Sequence, residues 1–438
     1  MPPRPIRSVT SVLSSFALAL AFTHLAPALH AAETAEVDAP QGKLQDIPRL
    51  HEPEIEPASD EAKLALGRMK LPPGLTAHLW AAEPMFANPV AFNLDEKGRV
   101  FVSETHRYGS STLDIRGYMW TLEDDLDNRN QADWLASIRR NFGEAGVKEL
   151  SIESERLVLL EDTNGDGTAD KTSVYADNFR SPLDGVASGV LARRNDVWFT
   201  NIPALWKFTG KDKAETRTEV FRGFGLRFNF TGHDLHGLIL GPDGRIYFSI
   251  GDRGASVPTK EGGLVDTPDT GAIFRCWPDG SGLELFARGL RNPQSLAFNE
   301  FGDLFTGDND SDQGDQERLV HLVEGGDSGW RVGYQFAPRG NAGPWNAEKL
   351  WHPRHAGQPA YLLPPVCNTE DGPSGLAYYP GTGLTPAYAG HLFITHFKGT
   401  IANSGIFTYK LKPAGASYAV EAAAPFLTGA LPTDVRFG

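Results

Sequence analysis

Five times along this chain the same short pattern returns: an alternating apolar run, a tight turn holding a glycine, then a second apolar or aromatic run ending near serine or threonine. It reads PVAFNLDEKGRVFVSE from Pro89, DGVASGVLARRNDVWFTN from Asp184, HGLILGPDGRIYFSIGD from His236, NPQSLAFNEFGDLFTGDND from Asn292 and PSGLAYYPGTGLTPAYAGHLFITHFKG from Pro373. Each copy predicts two antiparallel strands joined by a tight turn. Further β-like runs, GAIFRCWPDG, ERLVHLVEGG and SGIFTYKLKP, lie between them. Copies spaced by about 50 to 90 residues with varied insertions describe the blades of an all-β propeller better than a sandwich. The pattern starts again in FLTGALPTDVRFG, residues 426–438, and stops where its turn and second strand should follow. A propeller closes its last blade on its first or leaves unpaired edges, so the natural protein is expected to be longer.

Ahead of the repeats, two arginines, Arg4 and Arg7, precede an apolar stretch from Val12 to Leu29 and small residues at Ala26, Ala28, Ala31 and Ala32. This is the pattern of a secretory signal peptide over residues 1–31. Thr23 and His24 interrupt it, and its clean part falls short of the ~20 residues a membrane span needs. The mature chain is therefore expected outside the cytoplasm, periplasmic or associated with the outer side of the membrane. Losing Arg4 and Arg7 deepens a net charge that already stands at −14, with 55 acidic residues against 41 basic ones. That balance argues against nucleic acid as a partner. Residues 32–70 read as an irregular lead-in with one short helix near Asp60–Leu66, and residues 71–438 as the propeller. The longest insertion, residues 106–148, spaces Leu122, Leu126, Trp134, Leu135, Ile138 and Phe142 at helical intervals and predicts one or two capping helices. Two cysteines, Cys276 and Cys367, leave a single disulfide open. No Cys-x-x-Cys-His occurs, so the chain carries no c-type haem of its own.

Three stretches could carry chemistry. In FTGHDLHGLILGPDGRIYFSIGDRG, His233 and His236 stand just before an inner strand, where a histidine can accept a proton near neutral pH, although one of the two can equally be a packing residue. In GLRNPQSLAFNEFGDLFTGDNDSDQGD, Arg291 and Asn292 begin another inner strand, and Asp308, Asp310, Asp312 and Asp315 follow its partner. Arginine there can bind an anionic cofactor or steady negative charge, and the acidic run suits either a hard cation or a solvated loop. Third, Asp162, Asn164, Asp166, Thr168 and Asp170 follow EF-hand spacing with glycine at the sixth position. Ser173 stands where a bidentate Glu belongs, so a structural calcium and a hairpin rich in Asx turns are both open.

GLRNPQSLAF, the LVEGGDSGWRVGY that follows it, and the spacing of HDLHGLILGPDGRIYFSIGDRG resemble the soluble pyrroloquinoline quinone (PQQ) dependent glucose and sorbosone dehydrogenase family. The resemblance implies a six-bladed propeller, its last blade truncated here, with the cofactor in the central channel. It implies His233 as the base that takes the hydroxyl proton, Arg291, Asn292 and Lys398 as cofactor-binding residues, and the cofactor's Ca2+ near Asp310 and Ser311. Where the family has two cofactor-binding arginines in its last blade, this chain has Leu431 and Thr433. YMWTLEDDLDNRNQADWL, LEDTNGDGTADKTSVYADNF, GHDLHGL and VEGGDSGWR together are similar to a membrane-bound dehydrogenase domain of Planctomycetes and Verrucomicrobia. Members of that group often continue into a cytochrome c domain, which implies a cytochrome c as electron acceptor.

The implied function is an exported quinoprotein dehydrogenase acting on a sugar or alcohol. Two alternatives stand beside it. One is a calcium-dependent lactonase-like hydrolase using Glu104, Asn292 and Asp308. The other is a propeller that binds carbohydrate or protein without catalysis, since fold alone does not imply function.

Overall fold

The computed structural model describes residues 42–337, 343–351 and 362–438. The expected leader and the first residues of the lead-in lie outside these. Each copy of the repeat becomes the first two strands of its own antiparallel sheet, and the β-like runs between copies supply the remaining strands. The first sheet runs β1 (Pro89–Leu94), β2 (Val100–Glu104), β3 (Glu155–Glu161), β4 (Lys171–Phe179). The second runs β5 (Ala187–Arg193), β6 (Asp196–Asn201), β7 (Ala204–Thr209), β8 (Thr216–Arg222). The third uses β9 (Leu235–Leu240) and β10 (Ile246–Ile250), then a separate hairpin, β11 (Ala255–Pro258) and β12 (Leu264–Thr267), intervenes before β13 (Gly271–Cys276) and β14 (Glu284–Leu290). The fourth holds β15 (Leu296–Phe298), β16 (Leu304–Asp308), β17 (Arg318–Leu322) and β19 (Cys367–Asn368), while β18 (Gly326–Asp327) pairs back in parallel with β14. The fifth holds β20 (Pro373–Tyr378), β21 (His391–His396), β22 (Gly405–Ala414) and β23 (Ser417–Thr428).

The turns inside the repeats form because a short acceptor side chain satisfies the chain's reversal locally. Asp95 Oδ1 accepts from the Lys97 and Arg99 amides at 2.9 and 3.0 Å, and Asn299 Oδ1 does the same for Phe301 and Asp303 at 3.0 and 2.9 Å. Gly98 and Gly302, with φ of 74° and 84°, take the left-handed position that other residues adopt only under strain. First strands of successive sheets, β1 to β5, β5 to β9, β9 to β15 and β15 to β20, lie against one another, so the sheets are ordered like blades around their first strands.

Apolar side chains fill the wedges between neighbouring sheets. Phe101, Leu157 and Phe179 of the first meet Val190, Phe199 and Phe208 of the second, and Ala297, Phe305 and Leu319 of the fourth meet Leu376, Ile394 and Phe407 of the fifth. Six blades are the expectation; the described residues form five such sheets. Of residues 426–438, expected to begin a further blade, 426–428 finish β23 of the fifth sheet and 429–438 adopt no strand. The Asp434 carboxylate accepts the Phe92 amide at 3.2 Å, and Arg436 donates to the carbonyls of Phe92 and Leu376 at 3.4 Å each. At the outer edge, Lys70 of the lead-in pairs with Thr428 of β23.

Helix α1 (Glu61–Arg68) replaces the short helix expected at residues 60–66. The insertion forms α2 (Leu122–Asp127) and α3 (Gln131–Glu149), the latter kinked at Gly143. Trp134, Ile138 and Phe142 join the core that includes Phe224, Phe248 and Phe274. Among the described residues no helix is long and apolar enough to cross a membrane. Cys276 and Cys367 are both free, on β13 and β19, so the disulfide left open by the sequence is not formed.

Charged groups fix the sheets at one end, the end where first strands begin and second strands finish. Glu155, fully buried, accepts the Ala187 amide of the second sheet at 2.6 Å and the His106 and Arg107 amides at 2.9 and 2.7 Å. Arg107, also fully buried, donates to the carbonyls of Glu153, Leu150 and Ser181 at 2.6, 2.9 and 2.9 Å. Glu317 accepts the Gly372 amide at 3.1 Å, joining the fourth sheet to the fifth. Burial pushes the Glu155 carboxyl up to about 7. Burial and then the Asp310 charge push Glu317 up to about 8.

Glu155→Ala leaves the Ala187, His106 and Arg107 amides without an acceptor. It is expected to lower the unfolding free energy by about 3–5 kcal/mol, and Glu155→Gln by much less; denaturant titration measures both. Glu317 binds its proton more tightly folded than unfolded, so its contribution is full below the ordinary value of 4.5 and is lost as pH rises toward about 8. Glu317→Gln, which cannot ionise, should therefore gain stability relative to wild type across that window, by a few kcal/mol at most.

Candidate active site

The polar cluster at this end of the sheets centres on Asp252, which follows β10 and is fully buried. Its Oδ1 lies 2.7 Å from His233 Nδ1 and also accepts from Asn229 Nδ2. Its Oδ2 accepts the Trp330 indole N–H at 2.7 Å. Burial opposes the Asp252 charge, but His233, Arg291 and the indole outweigh it and hold the carboxyl below its ordinary value. A carboxylate bound to Nδ1 fixes that nitrogen as the protonated one and leaves Nε2 as the basic atom. No hydrogen bond to Nε2 is made by the described residues.

Phe230 ties His233 to Arg291. Its ring meets the imidazole edge-on at 5.6 Å, and the Arg291 guanidinium stands 5.4 Å from its centre. Arg291 also lies 5.9 Å from the Trp330 ring, donates to Gln335 at 2.8 Å, and pairs with Asp312 at 3.0 Å. Its amide and that of Asn292 donate to Asp308, whose charge is in turn met by the buried Arg318. The Asn292 side-chain N–H2 donates to Asn309 at 3.1 Å, while its buried oxygen has no partner.

His236 turns away from this arrangement. Its Nε2 lies 2.9 Å from the Gly232 carbonyl and 3.2 Å from the Asp234 amide, and burial lowers its pKa. Lys398 stands at the end of β21, paired with Glu370 at 2.6 Å; no contact joins it to His233 or Arg291. Ser311 spends its hydroxyl on Asp315 at 2.5 Å and its carbonyl on Gln335 at 3.0 Å. Burial, then Asp315 and Asp312, push Asp310 up to about 6.

Among the described residues no three His, Cys, Asp or Glu side chains converge as a metal requires. In the loop of residues 162–170 the side-chain oxygens accept backbone amides. Asp162 accepts from Gly165 and Gly167 at 2.7 and 2.9 Å, Asn164 from Asp166 at 2.8 Å, Asp166 from Thr168 at 2.9 Å, and Asp170 from Thr163 at 3.0 Å. These are Asx turns in the loop between β3 and β4. Of the three residues named for a hydrolase, Glu104 accepts from Ala87 at 2.8 Å and meets His106 at 3.1 Å, while Asp308 accepts the amides of Arg291 and Asn292 and pairs with Arg318.

Asp252, Trp330, Asn229 and Asp125 are the residues that sequence reasoning missed. Asp252 and Trp330 stand inside the quoted runs SIGDRG and GGDSGWR, so an acidic residue closing the histidine's own hairpin was a usable signal. Asp125 of α2 was not readable. It is fully buried and accepts the amides of Phe228 and Asn229 at 2.7 and 3.1 Å, which sets the loop that carries Asn229 and His233. The insertion is thus a buttress of the site.

Among solved structures, the chain is similar to an oxidoreductase (glucose dehydrogenase) of Thermus thermophilus, at 17% identity over 81% of this chain and 88% of that one, TM-score 0.45. It is similar to the PQQ-bound aldose sugar dehydrogenase of Streptomyces coelicolor, at 16% over 80% and 84%, TM-score 0.44. The pyranose dehydrogenase PQQ domain of Coprinopsis cinerea gives 12% over 82% and 86%, TM-score 0.46. No curated protein matches the sequence. The family model described as a domain of unknown function, DUF7133, matches residues 61–421, from the lead-in helix to the last strand, and the chain belongs to that family.

Proposed function

We propose that this chain oxidises a hydroxyl of a sugar or alcohol outside the cytoplasm, with His233 as the base and PQQ as the hydride acceptor. The observation that carries the reading is the buried dyad of His233 and Asp252, with Arg291 held across Phe230 from it. Because Asp252 keeps the proton on Nδ1, His233 Nε2 is ready to take the proton of a substrate hydroxyl. The imidazolium that results lies against a carboxylate already ionised, so the positive charge is met without rearrangement. Trp330 and Asn229 hold that carboxylate in place, and their own positions come from β14, whose Gly289 carbonyl accepts the Trp330 amide at 2.9 Å, and from α2.

The residues present fit an acidic, planar cofactor. Arg291 is paired with a largely exposed carboxylate, Asp312, and Lys398 with the half-exposed Glu370, so both cations can change partners. Asn292 and Asn229 each keep a buried side-chain oxygen without a partner. Arg291, Asn292 and Lys398 are the residues that would hold the group, with no help from Leu431 or Thr433. When bound, the quinone supplies the two-electron acceptor for the hydride that leaves the substrate carbon, and a cytochrome c is the proposed onward acceptor.

Titrating PQQ into the protein, with and without calcium, while following absorbance and sugar-dependent dye reduction tests the reading. Saturable binding with turnover is the expected result; no binding at tens of micromolar quinone overturns it. His233→Ala should reduce turnover by about 10²–10⁴-fold, and Asp252→Asn by a similar factor because the amide favours the wrong tautomer. Trp330→Phe, which keeps an aromatic ring beside Arg291 but removes the N–H that Asp252 accepts, should lower kcat by roughly tenfold with little change in KM, the mark of a positioning residue.

A further inference from the structure

Two adjoining clefts lie on either side of Tyr108, in the insertion, and neither is used by the reaction proposed above. The first, about 310 Å³, is bounded by Gln45, Asp114, Arg116, Tyr118 and Thr231. The second, about 220 Å³, is bounded by Pro48, Leu50, Pro53, Glu54, His106 and Glu153. Tyr108 and Gly109 border both, and the Tyr108 side chain is 62% exposed. The lead-in forms one wall because it is strapped to the insertion. The Gln45 amide donates to the Tyr118 hydroxyl at 3.2 Å, the Leu50 amide to Glu153 at 3.2 Å, and Arg49 pairs with Glu153 at 3.4 Å.

The lining selects for chemistry. An exposed aromatic ring beside proline and leucine surfaces suits the C–H faces of sugar rings. Asp114 and Arg116 face each other in a two-bond fork of 2.8 and 2.7 Å, offering planar donors and acceptors whose charges cancel. Thr112 and Thr231 border the first cleft, and their hydroxyls are buried in its wall without a partner. The second cleft adds the carboxylate of Glu54, which repels an anionic ligand, while that of Glu153 is met by Arg49. The path leads to the catalytic loop. Thr231 is two residues from His233, its amide donates to Asp114 at 3.1 Å, and Arg116 stands 4.7 Å from the centre of the Phe230 ring.

We infer that the two clefts form one groove for a neutral oligosaccharide, with sugar rings on both sides of Tyr108 and one end of the chain presented to His233. This rests on the reading of His233 as the base and names the substrate class for it. A single sugar fills one cleft only, so length is the property the groove recognises.

The test is calorimetric binding to the full chain without added quinone, using cellotetraose, maltotetraose and xylotetraose, their monosaccharides, and tetragalacturonate as the charged control. At least one neutral tetrasaccharide should bind, its monosaccharide about tenfold or more weakly, and the charged one not at all. Tyr108→Ala should weaken the tetrasaccharide about tenfold while Tyr108→Phe retains it; since the side chain is mostly exposed, both variants should melt with wild type. Absence of neutral tetrasaccharide binding at millimolar ligand overturns the inference, as does binding that Tyr108→Ala leaves unchanged. Tetrasaccharide binding without any quinone-dependent oxidation keeps the groove and removes the dehydrogenase reading. Oxidation of a monosaccharide by a chain that binds no oligosaccharide does the reverse.

Discussion

Charge buried at the ends of the blades is the constraint on which the rest of this structure depends. A first strand begins at the crowded centre, where its leading amides cannot reach water and have no partner strand, and an unmet buried amide is costly. Here buried carboxylates meet them. Glu155 takes Ala187, Asp234 takes Val186 at 3.2 Å, Asp308 takes Arg291 and Asn292, and Glu317 takes Gly372. Apolar packing between sheets is strong but does not define where one sheet stops along the next. These directional bonds do, and they act at the end where the candidate site lies.

The same device serves both architecture and chemistry. Asp252 occupies the end of a second strand as Asp308 does, yet its neighbours are an imidazole, an indole and an amide instead of an arginine. Asp308 is neutralised by Arg318 and fixes the start of its blade; Asp252 is matched to a group that can gain and lose a proton. Four of the five first-strand pairings also shift register near this end, at residues 89–91, 187–189, 236–239 and 373–376. Such bulges bend the strand and re-aim side chains, which turns the polar residues inward.

Much of this was legible in the chain. The alternation and the turn chemistry are local, so the five hairpins of the repeats, the lead-in helix and the helical insertion could be read from neighbours in sequence. His233, Arg291 and Asn292 stood out because they precede first strands. What could not be read was partnership. Nothing near Asp125 indicates that it anchors the loop of Phe228 and Asn229, more than a hundred residues away, or that Trp330 closes on Asp252. The Asp162 loop shows the opposite case. Its spacing suits a cation or Asx turns alike, and only the backbone conformation shows which amides its oxygens accept.

Sequence by itself determined the all-β repeat, the acidic balance, the absence of a haem attachment motif and the identity of the groups able to do chemistry. Those properties reside in composition and in neighbours within a few residues. Tertiary structure decided which histidine keeps a basic nitrogen, which carboxylates bind the blades' leading amides, and that the insertion and the lead-in together shape the clefts beside Tyr108. A side chain's protonation and hydrogen-bond partners are set by burial and by what the fold brings within about 3 Å, and neither is written at that residue's place in the chain.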